Sequence, residues 1–420
     1  MTEGATQPAS RRALILALIL ASIALSSYKA ARIAFSGLLI HPYLIPMFGL
    51  FFGSCMQELR RFPRDVMFGI VIFILTYFVS AIPAPGLLGE MLKVFAAFAT
   101  VFCCALCVQG LRDFWAAVLG LNVATAVMTI RGLVAGVITY TGYNPLAEVA
   151  NKNAFSLYAL PSILLGMFVA LDRRAPKWLR LALAANVAMT AFSIFSSANR
   201  SGWVGVIMIA VAFTVRGQRG RRGTAAMLFL GALVYVLLMR YGSTETFEYK
   251  VQQTERGYSS DQRRETLFLT AIEVGLDHPL VGVSPQLLPV VLAQRTHARE
   301  PMLDPHNVLG HVLGGSGIFC AASFLFLGWS AWKKPKLQVR KRSSASYSTQ
   351  LLRLQILLFL VRGLFSREIL YNPSFAAGFG LCIGLCLVEY GAVAAGASRA
   401  TVERTPAAAS ALPAPAARAP

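Results

Sequence analysis

The sequence is poor in charged residues, and this scarcity excludes a soluble globular protein. Charged side chains make up 14% of the 420 residues, whereas soluble proteins carry about 25%. Apolar residues account for 56% of the chain. Runs of roughly 20 apolar residues, the length that crosses a bilayer, recur along the whole sequence. We therefore predict a polytopic membrane protein.

Acidic residues are especially scarce. There are 19 of them against 39 lysines and arginines, and the formal net charge is +20. A charge of this size can indicate a nucleic-acid partner. Here the basic residues lie in short clusters between apolar runs, which is the arrangement that sets orientation in a membrane. We therefore expect membrane lipids as partners and no nucleic acid.

Motifs for metal and nucleotide chemistry are also missing. The predicted outer segments have no D-x-D, no histidine pair has metal-ligand spacing, and no glycine loop opens a strand–helix unit. The seven cysteines lie within or beside apolar runs, so we expect buried thiols rather than disulfides, redox chemistry or zinc. We expect no metal and no cofactor. A reaction at the outer face then needs a substrate that arrives activated, such as a lipid diphosphate with its good leaving group.

The apolar runs predict an all-α fold of about twelve transmembrane helices and one large loop. The predicted spans lie near residues 12–27, 36–56, 65–82, 88–109, 113–140, 153–171, 178–197, 201–215, 223–240, 306–332, 351–366 and 374–397. They divide the chain into an N-terminal bundle of about nine helices (1–240), a loop region that contains helices (241–305), about three C-terminal helices (306–397) and a disordered tail (398–420).

The segments between the spans alternate in charge. Basic segments include "RRFPR" (60–64), "DRRAPKWLR" (172–180), "RGQRGRRG" (216–223) and "KKPKLQVRKR" (333–342). Segments 81–90 and 140–152 have few lysines and arginines. The positive-inside rule then places the basic segments, both termini and the tail in the cytoplasm. The long loop region falls on the opposite, outer side.

The outer loop is predicted to contain a helix. The sequence "SSDQ" (259–262) has the pattern of a capping box. Four apolar residues then recur at helical spacing: Leu267, Phe268, Ala271 and Val274. Arg264 shares this face, and Gly275 and Pro279 are expected to end the helix. The apolar face could lie on the membrane surface or pack against the bundle.

His306 opens the span that follows the loop, in "DPHNVLGHVLGGSG" (304–317). Asp304 is the predicted N-cap and Pro305 the first helical residue, which places His306 in the first turn. The positive end of a helix favours anions and would hold the imidazole neutral. This pattern suits a base beside a phosphate; the alternative is an interfacial histidine that reaches water. Four glycines are expected to allow close helix packing: Gly310, Gly314, Gly315 and Gly317.

Arg200 lies between two spans in "SSANRSGWVG", on the side where arginine is disfavoured. Either an anionic ligand or an acidic partner would account for it. Arg263 and Arg264 add guanidinium groups at the outer face, and such groups suit bidentate phosphate recognition. Weaker candidates of the same type are Lys152, Arg131 and Arg362.

Three segments together resemble the O-antigen ligase/polymerase family of bacterial inner-membrane glycosyltransferases. "SANRSGW" (197–203) is similar to the family's S-x-x-R-x-x-W motif. "RRETLFLTAIEVGLDHPLVGVSP" (263–285) is similar to R-x-x-x-W…HP-L-x-G-x-G-P, and "HNVLGHVLGGSGI" (306–318) to H-N-x-x-L…G-x-x-G. Phe268 stands where the family often has tryptophan, and Ser284 where it often has glycine in a tight turn.

The resemblance implies a metal-independent, inverting transferase of the GT-C type in the bacterial inner membrane, with a periplasmic active site. Its donor would be an O-antigen glycan on undecaprenyl diphosphate, and its acceptor the lipid A–core oligosaccharide. By the same resemblance His306 would be the catalytic base. Arg200 and Arg264, with Arg263 beside them, would hold the diphosphate. Three further residues are supporting candidates: Lys152, Asn307 and His278, although His278 is also expected to cap a helix end.

Two other functions stay open. An O-antigen polymerase of the same family usually has two comparable outer loops with arginines. Here the 140–152 loop is short and has only Lys152, which favours a ligase. A secondary transporter of about twelve helices would explain the span count and the intramembrane arginines. It would not explain the long outer loop with its helix and arginine pair.

Overall fold

A computed structural model describes most of the chain. The described residues are 10–26, 33–35, 38–83, 87–134, 152–196, 199–214, 260–298, 302–338 and 347–404. The predicted ninth span (223–240), the first part of the predicted loop region (241–259) and the end of the predicted tail (405–420) lie outside them.

The described fold is helical apart from one short β-hairpin. The helices are α1 (Arg11–Ala21), α2 (Ile23–Ser26), α3 (Leu44–Leu50), α4 (Arg64–Ala81), α5 (Leu87–Cys107), α6 (Leu111–Val134), α7 (Lys152–Leu171), α8 (Lys177–Ser196), α9 (Arg200–Thr214), α10 (Ser260–Asp277), α11 (Leu288–Arg295), α12 (Val308–Gln338), α13 (Tyr347–Gly363) and α14 (Pro373–Arg404). A π-helical turn (Phe51–Cys55) and a 3-10 helix (Met56–Arg61) follow α3, and a second 3-10 helix (Arg367–Tyr371) connects α13 to α14. The hairpin pairs β1 (Ile33–Phe35) with β2 (Leu38–Ile40).

Several of these helices have the length and composition of membrane spans. Within the described residues, five are long and apolar enough to cross a bilayer, and they belong to α4, α5, α6, α8 and α12. Shorter apolar stretches occupy α7, α9 and α14. The helices confirm the predicted α-helical membrane class. The count of twelve spans and the outer position of the loop region stay predictions.

The predicted span 36–56 is wrong in its first part. Leu38–Ile40 form a strand in which Leu38 pairs with Phe35, and the helix begins only at Leu44. Pro42 lacks the N–H group that a helix interior needs, and it disfavours helical backbone at His41. An apolar run alone did not reveal this interruption.

The helix α10 packs on protein, which decides between the two alternatives for its apolar face. α10 lies along α12, and α12 in turn lies along α4. Seven buried residues of α10, α11 and the following segment form a small separate core: Leu267, Ala271, Val274, Leu288, Leu292, Ala293 and Leu303. This core joins α10 to α11 and to Leu303, three residues before His306.

The helix α12 is broken at Gly317, whose backbone is not helical (φ 77°, ψ −177°). The segment 279–284 fills the break. Three backbone hydrogen bonds join them, from the N–H of Val283 to the Gly314 carbonyl (3.1 Å), from Ser284 to Gly315 (2.8 Å) and from Ile318 to Pro279 (2.7 Å). Helical carbonyls that lose their own partners at the break are thereby satisfied.

Two residues of this inserted segment have left-handed backbone. Gly282 has φ 66°, and a Cβ there would lie 2.4 Å from the Gly315 carbonyl carbon. Only glycine fits such a close backbone contact. Ser284 is buried and keeps φ 83°, the conformation that favours the glycine often found there in the family.

Candidate active site

His306 lies before α12 rather than in its first turn. The helix begins at Val308, and the backbone of His306 is left-handed (φ 52°). Asp304 is therefore not the helix cap: its Oδ1 accepts a hydrogen bond of 2.8 Å from the His306 N–H and closes a tight turn. Left-handed backbone costs a non-glycine residue on the order of 1 to 3 kcal/mol and often occurs at functional sites.

Asn307 is the N-cap of α12. Its Oδ1 accepts hydrogen bonds from the N–H groups of Leu309 (2.8 Å) and Gly310 (3.2 Å). Its Nδ2 donates to the Leu364 carbonyl at 3.4 Å, which ties the start of α12 to the end of α13. The cap thus occupies N–H groups that the sequence interpretation had left open to an anion. Side chains must then supply much of the positive field around His306.

α10 and the first half of α12 run in the same direction at very close range. A Cβ on Gly310 would lie 3.1 Å from the Phe268 ring, and one on Gly314 would lie 2.6 Å from the Ala271 carbonyl oxygen. Successive positions of one helix thus meet successive positions of the other. The prediction that these two glycines permit close helix contact is confirmed.

Arg264 lies at the end of this helix pair where α12 begins. It stands one turn before Phe268 on α10, and Phe268 packs against Gly310 in the first turn of α12. Arg264 is half-buried, and its charge acts on the imidazole. The helix continues through Gly275 and ends at Asp277, between the two residues that were expected to end it, Gly275 and Pro279. Gly275 is a packing position instead.

Burial lowers the pKa of His306 below its ordinary value and is the largest influence on it. The negative charge of Asp304 opposes this effect, whereas Arg264, Arg367 and Arg263 lower the pKa further. These cations come from two elements, α10 and the 3-10 helix after α13. Because the pKa is lowered from about 6.5, the imidazole is mostly neutral at pH 7 and able to accept a proton.

Arg362 brings a further guanidinium to this end of the bundle. It is fully buried near the end of α13, and its Nη2 donates to Ser156 Oγ at 3.0 Å. Arg264 and Arg362 are close enough for their charges to repel each other. Glu368 acts on Arg362 in the opposite direction with its negative charge. A buried guanidinium is costly, so Arg362 joins the candidates for anion binding.

The "SANRSGW" motif connects Arg200 to the same place. Asn199 caps α9 by accepting hydrogen bonds from Ser201 Oγ (2.8 Å) and the Gly202 N–H (3.1 Å). Asn199 Nδ2 also donates to Ser156 Oγ at 2.8 Å, the oxygen that Arg362 contacts. Arg200 is the next residue and begins α9. Its side chain lies outside the described part of the structure.

Trp203, the last residue of this motif, contacts the end of the preceding helix, α8. Its Nε1 lies within hydrogen-bond distance of the carbonyls of Ile194 (3.2 Å) and Phe195 (3.3 Å) near the end of α8. Carbonyls at a helix end lack helical partners. The motif therefore fixes the turn from α8 to α9 on both sides of Arg200.

The remaining candidates, namely the diphosphate-binding candidate Arg263 and the supporting candidates Lys152 and His278, separate into two groups. Arg263 is exposed on α10 near His306, and Lys152 begins α7 one turn before Ser156, its side chain outside the described part. His278 is exposed beyond the other end of α10, about 21 Å along the helix from Arg264 at 1.5 Å per residue. The structure thus does not bring His278 to the histidine–arginine group.

Sequence reasoning did not name Arg367 and placed Arg362 among the weaker candidates. Arg367 Nε lies 2.8 Å from Asp304 Oδ2, so it belongs to the surroundings of His306. A signal for it was present: Arg367 stands in "SREILYNP", a connection that the predicted orientation places on the outer side, where the positive-inside rule disfavours arginine. The same signal had pointed to Arg200.

Together, the apolar helices and this cluster define an integral membrane protein with a neutral histidine and several guanidinium groups at one end of its bundle. Residues 185–325 match the family model described as O-antigen ligase. The match covers about a third of the chain and includes Arg200, Arg264 and His306. It confirms the resemblance and supports a member of the O-antigen ligase/polymerase family, a group of glycosyltransferase-like enzymes. No curated protein matches the chain.

Proposed function

We propose that the protein is an O-antigen ligase. It transfers O-antigen polysaccharide from undecaprenyl diphosphate to lipid A–core oligosaccharide at the periplasmic face of the inner membrane. The observation that carries the proposal is that the partly buried His306, in its left-handed turn before α12, lies within the charge field of Arg264, Arg367 and Arg263. A base next to an anion-binding group suits the attack of a sugar hydroxyl on a diphosphate-activated donor. The family match favours the same class of reaction.

His306 acts as the general base. The acceptor hydroxyl loses its proton to the imidazole as its oxygen attacks the anomeric carbon of the donor sugar. The bond between that carbon and the diphosphate oxygen breaks, and its electron pair leaves with the diphosphate. Attack from the side opposite the leaving group inverts the anomeric centre.

The arginines bind the donor diphosphate and stabilise it as it leaves. Arg264 is half-buried on α10, and Arg362 is fully buried near the end of α13. Arg200 begins α9 next to Asn199, and Arg263 adds charge from the exposed side of α10. Guanidinium groups bind phosphate oxygens in a bidentate manner and stay charged at all relevant pH values. These cations supply the positive charge that the leaving group needs without a metal ion.

The choice of ligase over polymerase rests on the distribution of outer arginines. The polymerases usually carry arginines in two comparable loops, whereas the 140–152 segment has only Lys152. The acceptor of a ligase is a core oligosaccharide; the acceptor of a polymerase is another carrier-linked repeat unit. Both would use the same base and diphosphate site.

Deletion of the gene separates these functions. Lipopolysaccharide from the deletion strain is compared on a gel with its undecaprenyl-linked glycans. We expect bare lipid A–core together with accumulated long carrier-linked polymer. Core capped by a single repeat unit would instead identify a polymerase.

An unchanged lipopolysaccharide pattern would contradict both the ligase and the polymerase function and favour a transporter. Uptake into vesicles that contain the purified protein then tests that function directly. A transporter moves solute across the vesicle membrane, whereas a ligase produces a new glycolipid.

A further inference from the structure

We propose that Asp304 is a positioning residue that holds His306 in its reactive place, and that Arg367 anchors Asp304 to the α13–α14 connection. This inference rests on the proposed role of His306 as base. It adds two residues, Asp304 and Arg367, that the family motifs quoted for this chain do not contain.

The two oxygens of the Asp304 carboxylate have different partners. Oδ1 accepts the His306 N–H at 2.8 Å, and Oδ2 lies 2.8 Å from Arg367 Nε. The carboxylate is about a quarter exposed, at 27%. One side chain thus joins the backbone of the histidine to an element more than 60 residues further along the chain.

His306 needs such support because of its backbone conformation. With φ 52° it sits in a region that few non-glycine residues occupy. Such a conformation persists only when the surrounding structure holds it. Asp304 holds it from one side, and Asn307, the cap of α12, holds it from the other.

Arg367 in turn belongs to a well-anchored element. The 3-10 helix that it begins ends at Tyr371. The Tyr371 hydroxyl is hydrogen-bonded to Tyr77 of α4 and lies 3.3 Å from His311 Nε2 of α12. The anchor of Asp304 is therefore fixed to the same helices that carry the site. A base that shifts by about 1 Å can lose on the order of 10²-fold in rate.

We call the linked contacts of His306, Asp304 and Arg367 the clamp. The charges around His306 allow the clamp to be tested through the pH dependence of the transfer rate. Arg263 and Arg264 face the imidazole from α10, Arg367 faces it from the 3-10 helix, and Asp304 faces it from its own turn. Glu368 is the neighbouring acid and interacts with Asp304 and Arg367. Asp304 raises the pKa of His306 and Arg367 lowers it.

The experiment uses the full-length purified protein with undecaprenyl-diphosphate-linked O-antigen and O-antigen-free lipopolysaccharide. Transfer rates at saturating donor are measured from pH 5 to 8 for Asp304→Ala, Asp304→Asn and Arg367→Gln. We expect Asp304→Ala to lower the plateau rate by about 10- to 100-fold, the range for a displaced catalytic group. Asp304→Asn keeps an oxygen that can accept the His306 N–H, so we expect a clearly smaller loss.

The acidic limb is the low-pH part of the profile, where the transfer rate falls. We expect it to move in opposite directions in the two variants that remove a charge, Asp304→Asn and Arg367→Gln. The base is active when neutral, so the rate falls as the pH drops through the pKa of His306. Asp304→Asn removes a charge that raises this pKa, so the limb moves to lower pH. Arg367→Gln removes a charge that lowers it, so the limb moves to higher pH. A merely structural defect would lower the rate without moving the limb in two directions.

Asp277→Asn is the matched control. It removes the carboxylate of a comparable ion pair, in which Asp277 Oδ2 lies 2.6 Å from Arg295 Nη2 at the far end of α10. We expect the plateau rate and the limb to stay at their original values. Equal behaviour of Asp277→Asn and Asp304→Asn would overturn the clamp.

His306→Ala, measured in the same series, separates the two proposals. If it keeps full activity, the base assignment fails and the clamp fails with it. If it is inactive while Asp304→Ala keeps the original rate and profile, only the clamp is wrong.

Discussion

The two ends of α10 pack against the same helix but differ in what holds them there. At the first end, Arg264 and Arg263 stand beside His306, whose strained turn is held by side-chain contacts to Asp304. At the other end, the segment after His278 enters the break of α12 and is held by backbone hydrogen bonds. Side-chain contacts hold the turn of His306 at the first end, whereas backbone hydrogen bonds hold the other end, where the Asp277–Arg295 ion pair also lies.

This difference indicates that the two ends of α10 have different roles. Backbone hydrogen bonds and glycine contacts leave little freedom, so the far end sets the register of α10 on α12. That register places the first turns of α10, which carry Arg264, beside the start of α12, and the charge of Arg264 acts on His306. The far end therefore serves the geometry of the near end without supplying reactive groups, which accords with the exposed position of His278.

The largest expected effect comes from the near end. His306→Ala removes the general base, and such groups contribute about 10² to 10⁴-fold to rate. We expect transfer to fall by that factor while the amount of folded protein in the membrane stays unchanged, since the side chain is only partly buried. The measurement is the rate of glycolipid formation by purified protein. Full activity would remove His306 from the mechanism.

A smaller effect is expected from the neighbouring arginine. Arg264→Ala removes contacts to the donor diphosphate, and a hydrogen bond to a charged group is worth about 1.5 to 3 kcal/mol. This corresponds to a loss of about 10- to 100-fold in kcat/KM for the donor. Arg264→Lys should rescue poorly, because an ammonium group cannot form the same bidentate contact.

Arg295→Ala is the control for this prediction. Arg295 also lies in the predicted loop region (241–305), but it pairs with Asp277 at the far end of α10. We expect its donor kinetics to match those of the unchanged protein. An equal loss of kcat/KM in both variants would mean that donor binding depends on the total positive charge of the loop region. Arg264 would then have no specific contact with the diphosphate.

The helix α10 itself was predictable from sequence, because its apolar period is local information. Leu267, Ala271 and Val274 are buried as that period requires. The same spacing predicts that Arg264 lies on this face. The partner of the face was not predictable, since the choice between membrane surface and bundle depends on contacts with α11 and α12.

The turn at His306 was not predictable for a different reason. Asp304 and Asn307 are both good N-cap residues, and each begins a plausible helix in the sequence. The outcome depends on Arg367, which takes one Asp304 oxygen, and on Leu364, which accepts from Asn307. Both partners lie about 60 residues away in the chain. The importance of Arg362 depends in the same way on its distant contact with Ser156.

The last prediction concerns the far end of α10 and is expected to change stability rather than chemistry. Gly282→Ala places a Cβ 2.4 Å from the Gly315 carbonyl carbon, at a residue with φ 66°. The backbone conformation alone costs about 1 to 3 kcal/mol, and the contact with Gly315 adds to it. We expect a lower midpoint of thermal unfolding and less protein in the membrane.

The matched control is Gly328→Ala in the same helix α12, where a Cβ would meet nothing within 4 Å. Alanine is the better helix former there, so stability should stay the same or rise. The informative quantity is the rate per folded molecule of Gly282→Ala. If it remains close to that of the unchanged protein, the far end is structural. If it falls as far as for Arg264→Ala while the protein stays folded, the break in α12 takes part in the reaction, and the division between the two ends of α10 is wrong.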